Sequence, residues 1–244
     1  MLNVLIYNEF HHERDMRDKC KTIRDIYPEG MHIAIKNHLE ELAPQDFSIS
    51  TVCLDNVNDI TEERLANTDV LIWWGHVKHA DVPDEIAKLV QNAVLNGMGA
   101  VFLHSAHHSK PFKLLMGTPC NLTWREDGDR ELVWVIDPAH PIAQGIDRFI
   151  LLDHEETYGE PFTVPQPDEL VFIGNYEGGE VFRAGCCYRR GNGKIFYFQP
   201  GHESFPTFHN KDVIRVIYNA IHWAAPVIRR DIDCPHVKKP LEAE

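Results

Sequence analysis

The chain has little positive charge and no long apolar run, and both shortages exclude classes of partner. Its 244 residues include 24 Lys and Arg against 37 Asp and Glu, which gives a formal net charge of −13. Nucleic-acid binders need a basic surface for the phosphates, so we expect no nucleic-acid partner. No stretch of the sequence approaches the roughly 20 apolar residues that span a bilayer, and the first residues lack the basic start of a signal peptide. We therefore expect no membrane partner and a cytoplasmic location.

Cysteine is sparse and shows neither metal-binding nor disulfide spacing. None of the six cysteines forms a C-x-x-C pair, and their density is too low for a disulfide scaffold. We interpret them as reduced thiols. The sequence also lacks internal repeats and low-complexity linkers, so we predict a single domain over residues 1–228 and a polar C-terminal tail over residues 229–244.

Strand and helix signals alternate along the first half of the chain and give way to strand signals in the second half. Alternation predicts a doubly wound α/β fold with a mostly parallel sheet and helices on both faces. The later strands have few helices between them, which predicts added antiparallel pairing. The predicted strands cover residues 3–7, 47–54, 69–74, 99–103, 131–136, 169–173, 181–188 and 194–198.

Histidines follow four of these predicted strands. His12 comes after the first, His76 after 69–74, His104 directly after 99–103, and His202 after the last. Ligands of open α/β sheets bind outside the carboxyl ends of the strands, so these imidazoles are expected to share one pocket. Neutral imidazoles with one carboxylate suit zinc or another first-row divalent ion.

The segment Asp153-His154-Glu155-Glu156-Thr157-Tyr158 offers the carboxylate and has two interpretations. One is a solvated acidic loop. The other makes Glu156 a ligand or general base and Tyr158 a hydrogen-bond donor. We predict a divalent-metal cofactor, zinc above other ions, with catalytic roles for Glu156, His202 and Tyr158. The predicted metal ligands are His12, His76, His104, Glu156 and His202.

Several short motifs resemble those of ThuA-like trehalose-utilisation proteins, in the same order along most of the chain. The resemblance implies a class I glutamine amidotransferase-like fold, with a flavodoxin-like core and added antiparallel strands. It also implies a role in the catabolism of trehalose or a related disaccharide, with a small carbohydrate or keto-sugar as substrate, and a homo-oligomer. The motifs are Phe10-His11-His12-Glu13, Trp74-Gly75-His76, Leu103-His104-Ser105-Ala106-His107, Glu155-Glu156-Thr157-Tyr158-Gly159 and Pro200-Gly201-His202-Glu203.

One departure from the parent fold bears on activity. That fold carries a nucleophilic cysteine in a Gly-x-Cys-x-Gly turn, whereas His104 and Ser105 stand after the corresponding strand here. We therefore expect no glutaminase activity. Three hypotheses stay open: a metal-assisted hydrolase, lyase or isomerase acting on a sugar, a non-catalytic carbohydrate-binding or regulatory protein, and a metal-free hydrolase with Ser105 activated by His202.

Overall fold

A nine-stranded mixed sheet runs through the structure, a computed structural model that describes residues 1–240 and Glu242. The spatial order is β2-β1-β3-β4-β9-β8-β7-β5-β6. Neighbours from β2 to β9 pair in parallel, and those from β9 to β6 pair antiparallel. The strands are β1 (Leu2–Asn8), β2 (Phe47–Cys53), β3 (Val70–Trp74), β4 (Gly99–Leu103), β5 (Thr123–Val135), β6 (Phe149–Gly159), β7 (Glu169–Tyr176), β8 (Val181–Arg190) and β9 (Gly193–Phe198).

Helices cover both faces of the parallel half of the sheet. Met31, Ile35 and Leu39 recur at helical spacing and bury one stripe of a helix on the first face, beside the last helix of the chain. The opposite face is covered by three other helices, and burial on both faces explains why the parallel strands are almost wholly apolar. The helices are α1 (Lys21–Ile26), α2 (Met31–Leu42), α3 (Glu62–Ala66), α4 (Asp84–Leu95), α5 (Lys110–Met116) and α6 (Lys211–Ala224).

The predicted α/β fold class is confirmed, and its antiparallel part is larger than the sequence indicated. Strand β5 begins at Thr123, eight residues before its predicted start at 131, and β6 was not predicted. The solvated-loop interpretation of residues 153–158 is therefore wrong, because this segment lies in β6. Asp153 is exposed there, whereas Glu156 and Tyr158 are buried. Pairing with β5 supplies the backbone hydrogen bonds that keep this polar stretch extended.

The C-terminal residues come after α6 in the chain and lie on the surface of the protein. Residues 229–240 and Glu242 are exposed, and the Arg229 guanidinium bonds the backbone carbonyl of Thr68. Residues 241, 243 and 244 of the predicted tail lie outside the described residues. Within the described part of the chain, no helix has the length and apolar character needed to cross a bilayer.

Candidate metal centre

Four side chains from separate strands converge at the carboxyl edge of the parallel sheet. His76 and His202 follow β3 and β9, His104 directly follows β4, and Glu156 lies in β6. Each offers one ligand atom, and these four atoms lie within 4.8 Å of one another. We call His76, His104, Glu156 and His202 the buried tetrad. The structure thus brings together four of the five predicted ligands.

His104 occupies the turn between β4 and the helical segment that follows. Its φ of 52° lies in the left-handed region, which aims the side chain above the strand end. The ring is fully buried, and its Nδ1–H donates to the Gln199 carbonyl over 2.9 Å. Because that carbonyl can only accept, the lone pair of a neutral ring sits on Nε2.

The Nε2 atom of His104 faces a carboxylate. Glu156 Oε2 lies 2.9 Å away, yet it is buried and, within residues 1–240, has no partner of hydrogen-bonding geometry. Two acceptors at this distance repel unless a proton or a cation lies between them. Burial lowers the pKa of His104, but the Glu156 carboxylate more than offsets it, so the net shift is upward. The pKa of Glu156 would be raised by burial, and His104 and His202 hold it below its ordinary value.

His202 presents its other ring edge to the tetrad. Its Nδ1 accepts a hydrogen bond from the Ser204 backbone N–H over 3.2 Å. Nε2 is buried and has no hydrogen-bond partner among the described residues; Glu126 Oε1 and Glu203 Oε2 lie 3.5 and 3.8 Å away. Since the bond from Ser204 uses the lone pair of Nδ1, a neutral His202 carries its proton on Nε2; to bind an ion through Nε2 the ring must adopt the other tautomer and release the Ser204 N–H.

Two further buried carboxylates hold the site loops in place. Glu155, which the sequence predicts as a supporting group of the site, accepts the backbone N–H groups of Gly201 and His202 at 3.1 and 3.0 Å. Glu9 accepts the N–H groups of His76 and Lys78 at 2.7 and 2.9 Å. The role of Glu9 was not predicted, because its partners are backbone groups distant in sequence. Its position directly after β1 was the one available signal.

The fifth predicted ligand, His12, lies in a second group. His12, His76 and Glu203 form a triad whose ligand atoms also lie within 4.8 Å of one another. Glu203 Oε1 is 2.9 Å from His76 Nδ1 and 3.5 Å from His12 Nε2. Burial lowers the pKa of His76, but Glu203 and Glu156 raise it to about 9. Glu203 appeared in the sequence only as the end of a motif, and its ligand-type placement was missed.

A cavity of about 350 Å³ opens beside the tetrad. Ser105 and Tyr158 lie in its wall, with their oxygens 2.7 Å apart, and Tyr158 OH is 3.4 Å from His104 Nε2. Trp124, 63% exposed, forms part of the rim, whereas Trp73 and Trp74 are core residues. The cavity is lined by His76, Val77, His79, Ser105, His107, His108, Asn121, Leu122, Trp124, Glu126, Glu156 and Tyr158.

Comparison with known proteins agrees with this architecture. A family model described as ThuA, trehalose utilisation, matches residues 3–224. None of the curated proteins compared with the chain matches it.

Solved structures place the fold among related architectures. A ThuA-like protein from Bacteroides uniformis aligns with a TM-score of 0.62 at 17% identity, covering 91% of this chain and 90% of that one. A ThuA-like protein from Parabacteroides merdae aligns with a TM-score of 0.64 at 14% identity, covering 92% and 89%. A Thermoplasma acidophilum protein described as part of a GMP synthase aligns with a TM-score of 0.53 at 15% identity, covering 91% and 95%. At these identities the likeness shows the fold alone, and it confirms the predicted glutamine amidotransferase-like class.

Proposed function

The chain belongs to the ThuA family of trehalose utilisation, and on this premise we propose that it is a metal-dependent enzyme acting on a sugar or keto-sugar. A divalent ion, zinc above others, would bind in the buried tetrad. The observation that carries the proposal is the convergence of four ligand atoms in the tetrad, among which His104 Nε2 and Glu156 Oε2 lie 2.9 Å apart. Without an ion a shared proton can lie between these two atoms, and a bound cation would replace that proton and keep both as ligands.

The donor set and its spacing support zinc. Imidazole nitrogens with a carboxylate oxygen are typical zinc ligands, whereas magnesium and calcium take mostly oxygen ligands. With bonds of about 2.1 Å in a tetrahedral site, two ligand atoms of one ion lie about 3.4 Å apart. The upper limit of 4.8 Å in the tetrad therefore requires a contraction of about 1.4 Å at most, which side-chain rotations on ion binding can supply. The Nδ1–H of His104 is held by a backbone carbonyl, the arrangement that fixes metal-binding histidines in their ligating tautomer.

A bound ion of this kind would polarise a sugar carbonyl or hydroxyl. Burial raises the pKa of Tyr158 well above its ordinary value, so its hydroxyl stays protonated and can donate to a substrate oxygen in the cavity. His202 directs Nε2 to the same space and would be the general acid where it does not bind the ion, while Glu156 is the ligand or the base.

The cavity wall fits an uncharged polyhydroxyl ligand. No Lys or Arg is among the described residues that line it. Burial lowers the pKa of His107 well below its ordinary value and that of His79 to about 3, so both rings are neutral hydrogen-bonding groups at neutral pH. The indole of Trp124 at the rim can stack on the apolar face of a sugar ring.

The alternative function is a metal-free hydrolase with Ser105 as nucleophile. To attack a substrate, the Ser105 hydroxyl would have to break its hydrogen bond with Tyr158 OH. In addition, His104 rather than Ser105 occupies the left-handed position of the turn. Glutaminase activity remains unexpected, because an imidazole stands where that chemistry needs a thiol.

We also propose a cytoplasmic location and a homo-oligomer. All six cysteines, each within the described residues, are free, which suits a reducing compartment.

The deciding experiment measures metal content and sugar turnover on the same preparations. Metal-depleted protein is reloaded with Zn²⁺ and incubated with trehalose or its oxidised keto form, and His104→Ala is compared with His154→Ala, an exposed histidine of β6. We expect His104→Ala to lose both the ion and turnover, and His154→Ala to keep both.

Other outcomes assign the alternatives. Turnover that survives a chelator but not Ser105→Ala would make the protein a serine hydrolase. Sugar binding without turnover by zinc-loaded protein would make it a binding protein. If His202→Ala keeps its zinc but loses turnover, His202 is the general acid and not a ligand.

A further inference from the structure

We propose that the triad of His12, His76 and Glu203 is a second divalent-cation site, so that the protein holds two neighbouring ions. This inference extends the metal centre of the proposed function, and its test counts ions without relying on turnover. It adds Glu203 to the ligands and gives His12 a place that the buried tetrad does not offer it.

The first argument is that one ion cannot use all the ligand-type side chains at this edge of the sheet. Ligand atoms of one tetrahedral zinc ion lie about 3.4 Å from one another. His12 falls outside the tetrad group, whereas in the triad its ligand atom lies within the same 4.8 Å limit as the tetrad atoms. His76 is common to both groups. If His76 binds the second ion, His104, Glu156 and His202 are left for the first, so each ion has two imidazoles and one carboxylate.

The second argument is the presence of unsatisfied atoms inside the triad. His12 Nε2 and Glu203 Oε2 are both buried and have no hydrogen-bond partner among the described residues. Glu203 is only 2% exposed. Leaving a buried carboxylate oxygen unpaired is costly, and a cation bound between Glu203 and His12 would satisfy both atoms.

The third argument is charge. Glu203 is buried, with Oε1 2.9 Å from His76 Nδ1 and Oε2 3.8 Å from His202 Nε2. Glu9, also buried, lies beside the triad, with its carboxylate on the His76 N–H. Two buried carboxylates close to several imidazoles favour the binding of a divalent cation at the triad.

The fourth argument is access. A separate cavity of about 300 Å³ reaches the triad from the side of His12, Cys20 and Phe205. His202 and Glu203 also line it, and Glu126 borders both this cavity and the one beside Tyr158. The second ion can therefore reach its ligands from solvent without crossing the space proposed for the sugar.

The test is a count of bound zinc. Metal-depleted protein is titrated with Zn²⁺ against a chromophoric chelator, and bound ions are counted by native mass spectrometry. We expect two equivalents for the wild type, one for His12→Ala and one for Glu203→Gln. The matched control is His11→Ala, which alters the adjacent imidazole outside both groups and should keep two equivalents. Circular dichroism establishes that each variant is folded, and His12→Ala, at the more accessible ligand, keeps the test valid if Glu203→Gln does not fold.

The outcomes separate this inference from the proposed function. A single equivalent that is lost in His104→Ala but kept in His12→Ala overturns the second site and leaves the proposed function standing. A single equivalent lost in His12→Ala but kept in His104→Ala upholds the triad and overturns the tetrad as the metal site. No bound zinc in the wild type overturns both.

Discussion

Replacing Glu155 by Gln should disconnect the loop that carries His202 from the strand that carries Glu156. The Glu155 carboxylate is fully buried and accepts four hydrogen bonds, two on each oxygen. Oε1 takes the N–H groups of Glu156 and His202, and Oε2 takes the Gly201 N–H and the Thr207 hydroxyl. A glutamine keeps one acceptor oxygen, but its NH₂ group must face the donors on the other side.

The magnitude follows from the two lost bonds. A hydrogen bond to a charged group contributes about 1.5–3 kcal/mol, so Glu155→Gln should lower the free energy of unfolding by about 3–6 kcal/mol. That is a large part of the roughly 5–15 kcal/mol that stabilises a typical domain. Urea denaturation followed by circular dichroism measures it, with Asp153→Asn as control, because Asp153 is exposed on the same strand. A loss below about 1 kcal/mol for Glu155→Gln would refute the reasoning, since an anchored buried carboxylate cannot be that dispensable.

Three further predictions concern pH, substrate contact and metal removal. Burial, together with the nearby Glu155, raises the pKa of Glu131 well above its ordinary value of 4.5. The stability that Glu131 contributes is therefore complete below pH 4.5, where its carboxyl is neutral, and it is lost as the pH rises toward the raised pKa. Glu131→Gln should therefore gain stability relative to the wild type between pH 5 and pH 8 in urea unfolding, and a pH-independent difference would contradict this. Trp124→Ala should weaken trehalose binding about tenfold in calorimetry, the loss of one stacking contact of about 1.4 kcal/mol, while an exposed change such as Val181→Ala leaves it unaltered. Zinc at about 100 times its dissociation constant should stabilise the fold by about 2.7 kcal/mol for each bound ion, and a chelator should reverse this in the wild type but have no effect on a His104→Ala, His12→Ala double variant.

The sequence predicted those features that depend on local pattern. The buried runs of β1, β3 and β4 and the histidines that follow them obey a general rule, because parallel strands bring their carboxyl ends to one edge. His76, His104 and His202 could therefore be placed together without coordinates. The position of Glu156 could not be derived this way, because it lies within β6. The polar residues of this segment give no strand pattern in the sequence.

Long-range geometry accounts for what the sequence did not reveal. The pairing of β5 with β6 shifts register between Arg125 and Asp129, and such irregularities bend a strand pair without any periodic signal. The division of the predicted ligands into two groups is equally invisible in sequence. His12 and His202 both follow strands, yet His12 sits on a loop that approaches the site from the side of Glu203.

The turn after β4 explains why an imidazole can replace the nucleophile of the related fold. A strained turn from a strand to a helix can expose one side chain at the top of a sheet. His104 stands in such a turn with a left-handed φ of 52°, and Tyr197 OH donates to its carbonyl over 3.0 Å, which holds the turn. The ring is then stacked on Tyr158, with centroids 5.1 Å apart, and its Nε2 is directed at Glu156. The turn thus holds the His104 imidazole against the Glu156 carboxylate, an arrangement that suits the proposed cation site better than nucleophilic attack.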